Sequence, residues 1–553
     1  MQKEQIKIII NEILQRGPGA KDKFRFVKHY NDFKVSSEFV KDIISKHDFM
    51  FFSHEFRNDV MQKVYDPFFD WIKELIDCRG DMEIRDFLNE CDVYPLQLEV
   101  IESYYSTGKC ERNEDILLHE LEYETHRMMD NLINIFRKIS QKQPIFILLN
   151  GIHYAHSSTL RFLQYMIEHL ADCDVYILGI YNGELGANTY YVQEWEKFSE
   201  LIESKCNVVT WILREKSYGM TQKDFILELE DFDEYIVKIV NMIEMGAYDQ
   251  ADYYLSLLYI KMKDEESSFS CEQYVQLNLL YLRNYIYLND VSNALHISNE
   301  IKAKIHNNDK YDKIYFMVMY YIGIVEIFNN RRELVDKSIY ECGEIADKLN
   351  DNKLQLRVMI LKHMKEFEGF SIQQARNTQD ECDEVFVELL EKYNFINHLA
   401  YYYSKCLGNN LESVQKEGTK ENKEIYYIKG LEIASKIGND NCILAFYNMR
   451  IFLASLLGMF SYAEKYFQKC IPLIEKSSDK SDWCGNMNGL GYVTCVNGEY
   501  QKSANYFIEA LKVEGEENNT RLMSETIYNL CITALLAKDY RNATRYIDMA
   551  VDI

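Results

Sequence analysis

The residues best placed for chemistry sit at the end of a short apolar run. Ile145 to Leu149 reads IFILL, then stops at Asn150-Gly151, and a helix-like stretch, SSTLRFLQYMIEHL (157–170), follows a few residues on. A buried strand that hands its last residues to a loop and a helix is where a nucleotide enzyme holds a metal ion and a catalytic base. Here the tip is uncharged. The amide of Asn150 neither offsets the charge of Mg²⁺ nor takes a proton from water, and Gly151 brings no base beside it. His153-x-x-His156 could offer two imidazoles to a metal, but no third ligand accompanies them, so a structural role is expected. Cys470, Cys484 and Cys495 read as fillers of a helical core rather than nucleophiles.

The elements that must position this tip come in two rhythms. The first ~215 residues mix strand and helix signals. Strand signals are read at FRFVKHY (24–30), PIFILL (144–149), DVYILGIY (174–181) and NVVTWIL (207–213), and DFMFF (48–52) is a short apolar run. Helices are expected at 3–14, at 36–47 with Ser36 or Ser37 as cap, and at 157–170. The runs at 144–149 and 174–181 are apolar on both faces, as in a parallel sheet, and the helix between them makes a βαβ unit. From about residue 226 strand signals stop and helix follows helix.

The helical part repeats. A turn of the form Gly-x-aromatic-x-x-small recurs at Gly246-Ala-Tyr248-Asp-Gln-Ala251, Gly458-Met-Phe460-Ser-Tyr-Ala463 and Gly498-Glu-Tyr500-Gln-Lys-Ser503. Degenerate copies stand at Asn289…Ala294 and Lys538…Ala543. The anchors 458, 498 and 538 step by 40 residues, the mark of a stacked helix-pair solenoid. Gly permits the turn, the aromatic fills the groove between helices, and the small residue allows close approach. Leu490 and Gly491 are expected to supply a knob and a close-contact point. The pattern resembles the tetratricopeptide (TPR) repeat with a lengthened period. Residues 300–440 read as helical and part of the same solenoid. The expected fold is therefore mainly α: an α/β P-loop-like domain with a parallel sheet over 1–215, then a TPR-like α-α solenoid over 216–553.

The stretch IFILLNGIHYAHSSTLRFLQYMIEHL resembles the Walker B region of the STAND class of AAA-like ATPases, in particular the LuxR-type maltose-regulator group. His153, Tyr154 and Ala155 match, as do Ser157, Ser158 and Leu160 at the helix start. The family's two acids are replaced by Asn150 and Gly151, and a later Asp by His156. LGIYN (178–182) resembles the family's next strand but ends in Asn182 instead of Arg, and VYDPFFDWIKELI (64–76) resembles its segment after the second strand. The resemblance implies that the phosphate loop lies at His29-Tyr-Asn-Asp-Phe-Lys34-Val35-Ser36. A working loop is G-x-x-x-x-G-K-[ST]. His29 and Lys34 stand where glycines belong, Val35 where the phosphate-binding Lys belongs, and only the hydroxyl of Ser36 survives. GPGAKDK (17–23) lacks the G-K-[ST] ending and precedes its strand. Phosphate grip, metal site and base are missing together, so ATP binding and hydrolysis are not expected, and no cofactor is. The family's small helical and winged-helix modules are replaced by about 30 residues, 214–242, which removes the usual switch machinery.

Composition agrees with an interaction protein. A net charge of −25 disfavours direct nucleic-acid binding and leaves room for a basic partner. Fourteen Cys without paired spacing suit a reducing cytosol. The longest apolar run, 314–325, is too short to span a bilayer, and the N-terminus does not read as a signal peptide. The sequence thus points to a cytoplasmic, non-enzymatic scaffold that binds a protein or peptide through its solenoid, and the resemblance implies a bacterial setting. Two alternatives stand beside it. One is a nucleotide-gated signalling ATPase. The other is a transcription regulator whose DNA-binding module lies past residue 553, since the chain stops inside a repeat without a polar capping helix.

Overall fold

The computed structural model describes residues 2–15, 23–30, 33–77, 83–183, 191–211, 231–264, 269–305, 309–328, 331–369, 388–399, 424–456, 458–474, 480–516 and 520–552. Five strands form one parallel sheet: β1 (Phe24–His29), β2 (Met50–Glu55), β3 (Ile145–Asn150), β4 (Val175–Asn182) and β5 (Asn207–Thr210). Their spatial order is β2-β3-β4-β1-β5. All four pairings are parallel. Every residue of β3 and β4 is buried, which explains why their sequences run apolar instead of alternating. The expected strand 207–213 ends at Thr210, and its last two residues lie outside those described.

Helices α1 (Gln2–Leu14) and α2 (Ser37–Ile44) cover one face. Ile6, Ile9, Ile10 and Ile13 of α1 recur at helical spacing and pack into one core with Val27, Val35, Val40, Phe146, Leu148 and Leu178. Between β2 and β3 come α3 (Phe68–Asp77), α4 (Ile84–Glu90), α5 (Pro95–Thr107) and α6 (Leu121–Ser140). The βαβ unit is completed by α7 (Ser157–His169), and α8 (Val192–Lys205) leads to β5. On the α8 side, Phe26 of β1 meets Phe198 edge to face at 5.8 Å.

From residue 232 the described residues are helical, in pairs such as Phe232–Glu244 with Tyr248–Asp264, Cys271–Tyr287 with Val291–Ile305, and Arg332–Leu349 with Asn352–Gly369. Later pairs are Asp440–Leu456 with Phe460–Ile474, Lys480–Val496 with Tyr500–Glu516, and Thr520–Leu536 with Tyr540–Asp552. Each repeat turn closes in the same way. Gly246, Asn289, Gly458, Gly498 and Lys538 all have positive φ. The next N–H then bonds back to the helix: Ala247 to Met242 O, Met459 to Ala454 O, Asp539 to Ala534 O, each at 2.8 Å. The small residues Ala251, Ala294, Ala463, Ser503 and Ala543 are all buried.

The aromatic of the anchor does not fill its groove in every copy. Tyr248 is buried and meets Tyr287, on the first helix of the next pair, at 5.3 Å. Tyr540 is 67% exposed. Cys470, Cys484 and Cys495 are buried thiols, the first two in the core of this region.

Gly491 is the close-contact point. A Cβ there would lie 2.6 Å from the ring of buried Phe507. At Gly489, one half-turn away, a Cβ would make only an ordinary 3.7 Å contact with Ile451. Gly489→Ala is therefore expected to raise stability by about 0.5–1 kcal/mol through helix propensity. Gly491→Ala is expected to lose more than that gain through overpacking of about 1–3 kcal/mol. Thermal unfolding of the two variants checks the opposite signs.

Compactness divides the chain elsewhere than the change of rhythm does. One unit comprises residues 1–112 and 127–325, the other residues 113–126 and 326–553. Within the first unit, two buried amides stitch the α/β layer to the first helix pair. Gln250 accepts from Ser158 Oγ at 2.5 Å and donates to the carbonyls of Gln62 and Lys63 at 3.3 Å. Asn241 accepts from the N–H of Cys110 at 2.7 Å and donates to Gly108 O at 2.9 Å. Tyr254 Oη accepts from the N–H of Gln62, and Tyr65 Oη donates to Met245 O.

Candidate functional site

In an open parallel sheet, ligands bind beyond the carboxyl ends of the strands, where the strand order reverses. Here that place lies above β1. The chain leaves β1 for β2, three positions away on one side, while β5 lies on the other. His29, Asn150 and Asn182 end the three central strands, and the segment from 30 to 36 leads from β1 into α2. The sequence placed its degenerate phosphate loop and metal residue in this spot. Asn31 and Asp32 of that loop lie outside the described residues, as do residues 17–22 of the alternative loop and residues 214–230 of the short linker.

The two halves of the site bond to each other. Asn150 Oδ1 accepts from the backbone N–H of Val35 at 2.8 Å, and Asn150 Nδ2 donates to Val35 O at 3.0 Å. One side-chain amide thus pairs with one residue's N–H and C=O, much as two strands would. The partners fix which end of the amide is which. In a phosphate loop the backbone N–H groups face the anion. In this chain the N–H of Val35 is spent on Asn150. Val35 itself is 5% exposed and lies in the sheet core beside Val27 and Val40. Its side chain is a packing group.

Three further positions of the loop have partners of their own. Lys34 points outward, its Nζ 3.2 Å from both carboxylate oxygens of Glu55 at the end of β2. Both groups are exposed, so this pair contributes little to stability. Ser36 caps α2, its Oγ accepting from the N–H of Phe39 at 3.4 Å. His29 is buried and meets Phe33 edge to face at 5.8 Å, and Phe33 in turn meets Trp211 at 5.4 Å.

Gly151 has a physical reason of its own. Its φ is +70°, and a Cβ would stand 2.9 Å from the carbonyl oxygen of Phe56. The backbone of Phe56 also donates to Asn150 O at 2.9 Å, so that carbonyl is held in place. A carboxylate-bearing residue at 151 would be strained twice, by its backbone and by this contact.

The two histidines do not share a ligand. His153 Nδ1 accepts from the N–H of Asn182 at 3.1 Å, holding the end of β4. His156 caps α7: its Nδ1 accepts from the N–H of Ser157 at 2.9 Å. It lies among the rings of Tyr191, Tyr253 and Tyr254. Both are nearly inaccessible, and both pKa values are pushed down to about 3. Burial is the main cause in each case, with His29 adding to it at His153. The rings are neutral and each has one nitrogen committed to backbone. No cluster of three or more potential metal ligands occurs among the described residues.

Sequence reasoning found the residues of this crevice but not their pairing. Nothing in Asn150 or Val35 alone says that one will clasp the other. Glu55 was missed as the partner of Lys34, and the Phe33–Trp211 contact was missed as the lid of the core. The chain is similar to a solved STAND protein. That structure is described as a Signal Transduction ATPase with Numerous Domains with a tetratricopeptide repeat sensor, from Pyrococcus horikoshii. Identity is 12%, coverage is 100% of this chain and 88% of that one, and the TM-score is 0.39. No family model matches the sequence. No curated protein matches it either. Among the described residues no helix is long and apolar enough to cross a membrane.

Proposed function

We propose that this protein is a non-catalytic interaction scaffold, working in regulation or complex assembly inside the cell. Its α/β part, residues 1–215, is an inert nucleotide fold. Its helical repeats, residues 216–553, offer a long surface to a protein or peptide partner. The observation that carries the inert half is the amide pairing of Asn150 with Val35. It fills the crevice where triphosphate and metal would sit, and it does so with neutral groups. The buried amides Gln250 and Asn241 support the same reading, since they tie the α/β layer to the first repeat. The strong net negative charge argues against nucleic acid as the partner.

A thermal shift with Mg-ATP tests the inert half. A ligand at 100 times its Kd adds about 2.7 kcal/mol to the stability of the state that binds it. The expected results are no shift at millimolar Mg-ATP and no phosphate release. A magnesium-dependent shift would instead favour a nucleotide-gated signalling ATPase. Purification from native cells tests the interaction half by showing what travels with the repeats.

A further inference from the structure

Residues 113–126 belong to the compact unit built by residues 326–553. The segment reads NEDILLHELEYETH, and its contacts there are those of a bound peptide. The Glu114 carboxylate accepts from the backbone N–H of Asn397 at 2.7 Å and of His398 at 3.1 Å, and lies 2.7 Å from His398 Nδ1. Asp115 meets the guanidinium of Arg357, Nε to carboxylate 3.1 Å, with both side chains mostly covered. Ile116 and Leu117 follow and are buried. Glu120, 1% exposed, accepts from Asn441 Nδ2 at 3.0 Å. Residues 115–117 have no regular structure; a 3₁₀ turn and the start of α6 come after.

This arrangement is specific in its chemistry. A covered carboxylate is costly unless it is paired. Each of these three acids has a partner, and the partners come from separate places: Arg357 from helix Asn352–Gly369, the backbone at 397–398, and Asn441 from helix Asp440–Leu456. The repeats are thus read across, several elements at a time, by one short acidic and aliphatic segment. Extended ligands engage repeat arrays in the same manner.

We propose that residues 113–126 are a built-in ligand. The surface marked by Arg357, the Asn397–His398 backbone and Asn441 is a docking site for a partner's peptide of the pattern Glu-Asp-aliphatic-aliphatic. That peptide binds by displacing the segment. The proposal deepens the reading of the repeats as a partner-binding surface and rests on it.

The test uses a fluorescent peptide of residues 111–124, ERNEDILLHELEYE, added to the full chain. A covalent competitor acts at an effective concentration in the millimolar range. Wild type is therefore expected to bind at least tenfold more weakly than a Glu114→Gln, Asp115→Asn chain, whose own segment is loosened. Adding Arg357→Gln to that chain is expected to cut peptide binding tenfold or more. If the double variant does not fold, wild type is read instead: millimolar peptide is expected to speed hydrogen exchange at amides 113–118. A folded, loosened chain that ignores the peptide, binding indifferent to Arg357, or unchanged exchange in wild type would each overturn the docking site. None of these results touches the Mg-ATP experiment. A Mg-ATP shift sinks the broader reading, whereas a failed peptide with no such shift sinks this site alone.

Discussion

Asn150→Asp is expected to lower stability at neutral pH by about 3 kcal/mol and to create no ATP turnover, although it restores the acid that a magnesium site would need. The amide of Asn150 makes two buried bonds, one as acceptor and one as donor. A carboxylate keeps the first and loses the second. The cost of an orphaned buried carbonyl is about 1–3 kcal/mol. A carboxylate oxygen would also face Val35 O, two negative oxygens at hydrogen-bond distance in a site that is 6% exposed at residue 150. Asn150→Ala adds no charge but leaves both the N–H and the C=O of Val35 unpaired, at about 1–3 kcal/mol each, so it should cost at least as much. Lowering the pH should narrow the gap between Asp and wild type, because a protonated carboxyl can donate again. Urea unfolding of the three chains, with phosphate release assayed in parallel, checks the order. An Asp variant as stable as wild type, or one that binds Mg-ATP, would mean that the crevice is open and the amide pairing incidental.

Residue types announced the architecture, and pairings did not. The apolar runs at 145–149 and 174–181 identified buried parallel strands because burial on both faces leaves no room for alternation. The 40-residue step identified the repeats because each turn needs a left-handed residue and a small one five on. Those needs are local, and local needs are written in order along the chain. The reading of His29, Lys34, Val35, Asn150 and Gly151 as unsuited to phosphate and metal needed only their residue types. What those residues pair with was not legible. Val35 and Asn150 are 115 residues apart, and many side chains could have met there. Gly151 looked like a lost base; its φ of +70° and the nearby Phe56 carbonyl show that backbone geometry selects glycine at that position. The segment 113–126 escaped notice because nothing in its composition separates a docked acidic stretch from a solvated one. The exposed Tyr540 departs from the pattern that buried Tyr248 follows, because contact with a neighbouring helix is not written in the repeat itself.

Acid should open the sheet well before it protonates most carboxylates. His54, His153 and His156 all lie in the first unit. Burial lowers their pKa values to about 4, about 3 and about 3. An unfolded chain binds a proton at each near pH 6.5, which the folded chain refuses until far lower. Below 6.5 the unfolded state therefore holds more protons, and stability falls with falling pH. Each histidine contributes about 1.4 kcal/mol per pH unit across its window. Asp66 works the other way. Burial raises it to about 6, so between there and its ordinary value near 3.8 the folded state binds the extra proton. Three slopes against one leave a net loss of roughly 2.7 kcal/mol per pH unit between about 6 and 4. Hydrogen exchange of the β3 and β4 amides reads this directly, because it reports the free energy of opening the sheet. His156→Asn isolates one term: the amide still accepts from Ser157 and still caps α7, but it does not titrate. The variant should lose about 1.4 kcal/mol per unit from the acid slope, whatever its stability at pH 7. An unchanged slope would show that His156 takes up its proton while folded, and that the aromatic pocket around it admits water and charge.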